Sequence, residues 1–143
     1  MKHTATSKRL TSNEIEAANL AEATALLIRA GFRVYRPEAD CDGEDLILRE
    51  NRKPSGKLLV VQLKSRPTVN RKKYGGRSLW MLFPDPKSNT ALDRKWFLVP
   101  HDRLYEEMKR WHEHTAKWNE TWSEKRVSKK LGLFLKKFTV IPS

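Results

Sequence analysis

The chain has 143 residues, of which 38% are hydrophobic and 32% are charged. This length suits a single domain with its own core, and the apolar runs exclude an intrinsically disordered chain. The 29 Lys and Arg residues outnumber the 17 Asp and Glu residues, and the resulting net charge of +12 exceeds what solubility requires, so a polyanionic partner is expected.

The distribution of the basic residues narrows the class of partner. They are spread through loops and termini instead of lining one amphipathic helix, which favours nucleic acid over a membrane surface. The single cysteine, Cys41, excludes an internal disulfide and the multi-cysteine zinc sites. No apolar stretch approaches the roughly 18 residues of a membrane span, and a cytoplasmic protein is expected. Residues 1–12 are predicted to be a flexible basic N-terminus, and residues 13–143 a single domain.

A helix is predicted directly after this N-terminal segment. Ser12 or Asn13 is expected to cap it, because acidic residues occupy the first turn that would follow. The helix is predicted to reach about Ala30, where Gly31 supplies the stop.

Five apolar segments are predicted to be strands, namely residues 32–36, 45–49, 57–64, 80–83 and 96–99. The third has an uninterrupted apolar centre, which indicates a central strand covered on both faces. The sequence therefore predicts an α/β fold in which a mixed sheet of about five strands is flanked by helices, in the order α-β-β-β-(β-β)-α.

Residues 66–78 are rich in basic residues and glycine, and they are predicted to be a mobile loop without packed structure. The loop follows directly on the third strand. Its cations are expected either to contact phosphates without reading sequence or to serve solubility alone, and they are Arg66, Arg71, Lys72, Lys73 and Arg77.

The last third of the chain is predicted to begin with a helix. Asp102 is expected to cap it, and it continues to about His114. His101 follows a strand and is interpreted as a loop histidine, with contact to substrate as the alternative. A short helix over 124–131 and a terminal strand over 134–141 are expected to follow.

Three polar residues occur where the second and third strands are predicted to meet. Gln62 and Lys64 share one side of their strand because alternate residues point to the same face, about 6–7 Å apart. If the two strands form an antiparallel pair, Asp45 at the start of one lies beside the end of the other. A carboxylate, an amide and an ammonium group are therefore expected to converge at one edge of the sheet.

This pattern resembles the PD-(D/E)xK nuclease superfamily, in the variant with Gln in the motif. The resemblance is carried by the segments Gly43-Glu44-Asp45-Leu46-Ile47 and Val60-Val61-Gln62-Leu63-Lys64-Ser65. The preceding helix, Gly31-Phe32 and Arg36-Pro37 also suit the lead-in of that family, and the match covers roughly residues 14–66. It implies a restriction-endonuclease-like or Holliday-junction-resolvase-like core.

The resemblance also implies catalytic roles. Asp45 and the side-chain oxygen of Gln62 would be ligands of Mg²⁺, or of Mn²⁺, and Lys64 would position or activate the attacking water. Gln62 stands where many members have a carboxylate, and an amide removes a negative charge that would favour the metal. Activity is therefore a weaker expectation than the fold.

Many members of the family also use a glutamate from the first helix. Glu16 is the preferred match because it begins a helical stripe with Leu20, Ala23 and Leu27. Glu22 is the alternative, and neither has the usual spacing from the helix-ending glycine.

The function expected from these residues is that of a Mg²⁺-dependent endonuclease that hydrolyses DNA phosphodiester bonds; the expected partner is DNA, with RNA as the alternative. The alternative is a non-catalytic nucleic-acid-binding module, or an interaction subunit, that retains the nuclease fold. The sequence leaves open whether the protein is a homodimer.

Overall fold

A computed structural model describes residues 9–38, 43–86 and 94–142, and Cys41 lies outside them. The helices are α1 (Ser12–Arg29), α2 (Arg71–Tyr74), α3 (His101–His112) and α4 (Lys129–Leu135). The strands are β1 (Arg33–Tyr35), β2 (Leu46–Arg49), β3 (Leu58–Leu63), β4 (Thr68–Asn70), β5 (Leu79–Pro84), β6 (Trp96–Pro100) and β7 (Thr121–Ser123). Short 3₁₀ helices cover Glu50–Arg52 and Lys136–Phe138.

The main sheet has five strands in the order β1-β2-β3-β5-β6. Strands β3 and β5 are parallel, and the other neighbours are antiparallel. Strands β4 and β7 form a separate antiparallel ribbon. The predicted mixed five-stranded sheet flanked by helices is confirmed.

Helices cover both faces of this sheet. On one face Leu59 and Val61 of β3 pack with Leu27 of α1. On the other face, Met81 of β5 and Val99 of β6 pack with Leu104 of α3 and Leu131 of α4. The prediction that β3 is central and covered on both sides is confirmed. No helix among the described residues is both long and apolar enough to cross a membrane.

The N-terminal cap of α1 differs from the prediction. Thr11, not Ser12 or Asn13, is the capping residue: its side chain accepts a hydrogen bond from the Glu14 N–H, and the Glu14 carboxylate accepts one from the Thr11 N–H. This reciprocal pair of hydrogen bonds is a capping box, in which the cap is a Ser or Thr three residues before a Glu or Gln. Thr11 has that spacing from Glu14. The same hydrogen bonds to Thr11 lower the pKa of Glu14.

The segment 66–78 is packed, so its prediction as a mobile loop was wrong. It contains β4 and α2, and the side chains of Val69 and Tyr74 are buried in the core beneath α3. The physical reason is the partner strand: β4 pairs with β7, with Val69 opposite Trp122. A segment with few apolar residues can be ordered when a distant strand satisfies its backbone.

The C-terminal predictions also require correction. Helix α3 begins at His101 without a side-chain cap, and α4 covers Lys129–Leu135 with Ser128 as its cap. The helix expected over 124–131 therefore lies further along the chain. The strand expected over 134–141 is helical in its first part, and only Thr139 forms a bridge, with Phe97. Helical spacing puts Leu131 and Leu135 together against the sheet, where both are fully buried.

Candidate functional site

Asp45 lies where the sequence placed it, beside the end of β3. The antiparallel register pairs Leu46 with Val61, and the Asp45 N–H donates to the carbonyl of Val61 at 2.9 Å. Its carboxylate oxygen Oδ2 accepts hydrogen bonds from Gln62 Nε2 at 2.8 Å and from the Leu63 N–H at 2.7 Å. The predicted convergence of Asp45 and Gln62 is confirmed as geometry.

Gln62 is a buried amide with an asymmetric set of partners. Its Nε2 donates to Asp45 and, at 3.3 Å, to the carbonyl of Leu63. Its Oε1 is buried and accepts no hydrogen bond from the described part of the chain. A buried acceptor without a donor costs about 1–3 kcal/mol, so this oxygen is the least satisfied atom of the site.

Gly43 packs directly against this oxygen. Its φ is +80°, a left-handed conformation, and a Cβ built there would collide with Gln62 Oε1 and lie 3.3 Å from Tyr74 Cε1. Glycine is therefore required at position 43 for two reasons, the backbone conformation and the space that the amide occupies.

Lys64 continues the same face of the strand beyond Gln62. Its N–H donates to the carbonyl of Leu82 on β5 at 2.9 Å, which holds the backbone past the last residue of β3. Its Nζ lies 5.6 Å from the centre of the Tyr74 ring, within the range of a cation–π contact. Tyr74 is thus next to both motif residues, while Leu63 packs on the α1 side of the sheet. The predicted alternation is confirmed.

The two candidate helix glutamates have different surroundings. Glu22 binds Arg94 through both carboxylate oxygens, at 2.9 and 2.7 Å, and also accepts a hydrogen bond from the indole of Trp96. Glu16 is exposed and borders two clefts. One, of about 360 Å³, is also lined by Asp45; the other, of about 370 Å³, is also lined by Gln62 and Lys64. Of the two, Glu16 is the carboxylate that faces the motif residues.

The residues near Asp45 can be tested for their fit to a divalent cation. The described chain contains no group of three or more His, Cys, Asp or Glu side chains that could hold one. Mg²⁺ keeps several of its waters, however, and needs only one or two protein ligands in addition to substrate oxygens.

The orientation of the Gln62 amide decides whether this site can hold the ion. At present Nε2, not the oxygen, is directed at Asp45. A half-turn of the amide exchanges its two ends and brings Oε1 beside the carboxylate, where two oxygens repel each other unless a cation lies between them. The same half-turn puts Nε2 in the buried position that Oε1 now occupies and turns Oε1 towards the carbonyl of Leu63, so it costs free energy unless a cation compensates for it. In that second orientation the Asp45 carboxylate and the Gln62 oxygen would be the two protein oxygens available to a cation of the Mg²⁺ type.

The five cations predicted to contact phosphates have different partners. Arg71 pairs with Glu120 at 3.7 Å, and Arg77 lies 3.9 Å from Glu44. Lys73 is directed towards Tyr74, with its Nζ 5.5 Å from the ring centre. The exposed residues Arg66 and Lys72 have no ion pair with a carboxylate of the described chain. Only Lys73 lines the same cleft as Lys64.

His101 was misjudged from the sequence. It is 1% exposed, its Nε2 accepts a hydrogen bond from the Asn70 N–H at 3.0 Å, and its Nδ1 lies 2.9 Å from Asp102 Oδ1. A neutral ring that accepts at Nε2 donates from Nδ1, so Asp102 selects this tautomer. Burial lowers the pKa of His101, against the opposing effect of Asp102. The predicted capping residue therefore orients a buried histidine instead.

Comparison with protein-family models, with curated proteins and with solved structures found no match to this chain.

Sequence reasoning missed Lys117, which lies between α3 and β7 and lines a cleft together with Lys64 and Lys73. Its neighbours along the chain carry no motif. The one indication in the sequence that this region is ordered was the nearby segment Thr121–Ser123, whose residues are compatible with an edge strand.

Proposed function

We propose that the protein is a metal-dependent nuclease of the PD-(D/E)xK type that hydrolyses DNA phosphodiester bonds. The observation that carries the proposal is the direct contact of the Asp45 carboxylate with the Gln62 amide at the end of β3, with Lys64 on the same face. The order α1-β1-β2-β3 with an antiparallel β2–β3 pair supports the restriction-endonuclease-like core that the motif implies.

In this proposal Asp45 and Gln62 hold the metal, and Glu16 supports the site from the neighbouring helix. A bound Mg²⁺ would polarise the scissile phosphate and make its coordinated water more acidic. Lys64 orients the attacking water and stabilises the negative charge that develops on the phosphate. The Leu63 N–H holds Asp45 in place through the second hydrogen bond to Oδ2.

The test uses purified protein with supercoiled plasmid, linear duplex and single-stranded DNA, and with RNA, in Mg²⁺, in Mn²⁺ and in chelator. The protein is expected to cleave in Mg²⁺ or Mn²⁺ and not in chelator. Lys64→Ala is expected to lower the rate about 10²–10⁴-fold, the usual contribution of a group that assists proton transfer. Asp45→Ala is expected to abolish cleavage. Cleavage that survives both substitutions unchanged would remove the assignment.

Metal binding gives a readout that does not depend on activity. Mn²⁺ binding, followed by its electron paramagnetic resonance signal, is expected to be lost in Asp45→Asn and weakened in Gln62→Leu. Gln62→Glu restores a carboxylate and is expected to tighten binding. Glu22→Gln is the matched control, because Glu22 lies on the same helix as Glu16 but is bound to Arg94.

A second candidate function is favoured by one feature of the same site. The Gln62 amide donates directly to Asp45, so the two side chains satisfy each other in part without an ion. This suits a nucleic-acid-binding module that keeps the fold and does not cleave. Its expected signature is DNA binding that weakens steeply with salt, together with no Mn²⁺ binding and no cleavage.

A further inference from the structure

A cleft on the far side of Lys64 from Glu16 has a different chemical character from the motif site. It encloses about 430 Å³, a size typical of pockets that take small molecules or single groups of a larger ligand. The β4–β7 ribbon forms one wall and the α2 turn forms another. Its cations are Lys64, Lys73 and Lys117, and no Asp or Glu is among the described residues that line it.

The three ammonium groups are not neutralised by carboxylates of the described chain, where the ion pairs involve other residues. Lys64 and Lys73 instead approach the same Tyr74 ring, with Nζ atoms 5.6 and 5.5 Å from its centre. Tyr74 is 2% exposed, so these two cations lie against a buried aromatic surface. Cations gathered without counter-charges raise the local positive potential and attract an anion.

The walls of this cleft are held in place from behind. The ribbon pairs Thr68 with Ser123 and Asn70 with Thr121, and the Asn70 N–H donates to buried His101. Trp122 stacks on His112 at 4.1 Å between ring centres, with 10° between the planes. A cleft with fixed walls loses little freedom when it binds a ligand.

We propose that this cleft, which we call the lysine cleft, binds a backbone phosphate of the nucleic acid strand beside the phosphate that is cleaved. The inference rests on the proposed function for the identity of the polyanion. Lys64 borders both the lysine cleft and the cleft of Glu16 and Gln62, so one strand can pass from the motif site into the lysine cleft. Lysine acts as a point charge, and such contacts position a strand without reading its sequence.

The test measures binding of a fluorescently labelled oligonucleotide, single-stranded and duplex, by anisotropy in chelator, so that cleavage does not interfere. Lys73→Ala and Lys117→Ala are each expected to weaken binding about fivefold at 0.15 M salt, the counterion-release contribution of one phosphate contact. Each is also expected to lower the slope of log K against log salt by about 0.7–0.9. The effect is expected to be the same for unrelated sequences.

The matched control is Lys57→Ala, which removes the same charge just before β3, at the opposite end of that strand from Lys64. It is expected to leave the affinity within twofold of the parent protein. Lys117→Arg keeps the charge and is expected to retain binding. Thermal unfolding of every variant checks that the fold is intact, because a lost wall would also weaken binding.

The outcomes separate the lysine cleft from the nuclease assignment. If the parent protein binds and cleaves but Lys73→Ala and Lys117→Ala behave like Lys57→Ala, the lysine cleft is overturned and the nuclease proposal stands. If binding depends on these lysines but no metal supports cleavage, the lysine cleft is supported and the catalytic proposal fails. If the parent protein binds no polynucleotide, both are overturned.

Discussion

The motif site and the lysine cleft share Lys64, yet they are built in opposite ways. In the motif site, Asp45 and Gln62 are at least partly buried and bonded to each other, so each position depends on the other. In the lysine cleft, cations from three separate segments face an open space without direct contact to a carboxylate of the described chain. Holding an ion requires fixed atoms, whereas raising a potential requires only charge in the neighbourhood.

This difference predicts large effects on stability from the first region and small ones from the second. The sharpest test is Asp45→Ala, which leaves the Leu63 N–H without its acceptor and the Gln62 Nε2 with only the longer hydrogen bond to the Leu63 carbonyl. Each donor left unsatisfied in a buried position costs about 1–3 kcal/mol of unfolding free energy. Denaturant unfolding measures the loss, and Lys117→Ala, as the comparison, is expected to change stability by less than about 0.5 kcal/mol. Equal losses would contradict the contrast.

Gly43→Ala tests the packing of the motif site against its backbone. Both Gly43 and Gly76 have positive φ, +80° and +70°, but a Cβ at Gly76 meets nothing within 4 Å. Gly76→Ala therefore reports the backbone strain alone, about 1–2 kcal/mol. Gly43→Ala is expected to cost more and to lower cleavage, because the new methyl group displaces the Gln62 amide. If Gly43→Ala and Gly76→Ala lose the same unfolding free energy and Gly43→Ala cleaves at the parent rate, the contact between Gly43 and the Gln62 amide is unimportant.

The two glutamates of α1 give a reciprocal pair of predictions. Glu22→Gln weakens the contacts with Arg94 and Trp96 and is expected to lower the unfolding free energy by about 1–3 kcal/mol with cleavage preserved. Glu16→Gln is expected to leave stability within about 0.5 kcal/mol and to reduce cleavage. Stability is measured by chemical unfolding and activity by plasmid cleavage. If Glu22→Gln reduced cleavage and Glu16→Gln reduced stability, Glu22 and not Glu16 would be the glutamate that supports the site.

The smallest expected effect is a pH dependence beside the lysine cleft. Burial lowers the pKa of His101, so the unfolded chain takes up a proton near the ordinary value of about 6.5 while the folded chain does so only at lower pH. The contribution of neutral His101 to the unfolding free energy is therefore fully present above about pH 6.5. It is lost as the pH falls towards the folded pKa, by at most about 1.4 kcal/mol per pH unit.

Unfolding measured from pH 7.5 downward checks this expectation against His101→Gln, which cannot titrate. The variant is expected to show a shallower fall. The protection factor of the Asn70 amide, which donates to His101, is expected to fall in acid before the protection factors of the β3 amides do. Identical pH profiles for the two proteins would rule out His101 as the cause.

Much of the sheet was predictable because the pattern that produces it is local. Alternation in β3 and the helical pattern that follows Asp102 depend on residues near each other in the chain, and both β3 and α3 form where they were expected. The segment from Arg66 to Ser78 was not predictable in this way. Its order comes from pairing with β7, which lies about fifty residues further along the chain.

The sequence by itself determined that Asp45 and Gln62 meet and that Lys64 follows on the same face, because strand alternation and the register of an antiparallel pair are set by a short stretch of chain. Only the tertiary structure distinguished Glu16 from Glu22, since Arg94 and Trp96 approach Glu22 from another part of the chain. It also brought Lys117 to Lys64 and Lys73. Such contacts depend on how packed layers place distant segments, and no local pattern of residues records that placement.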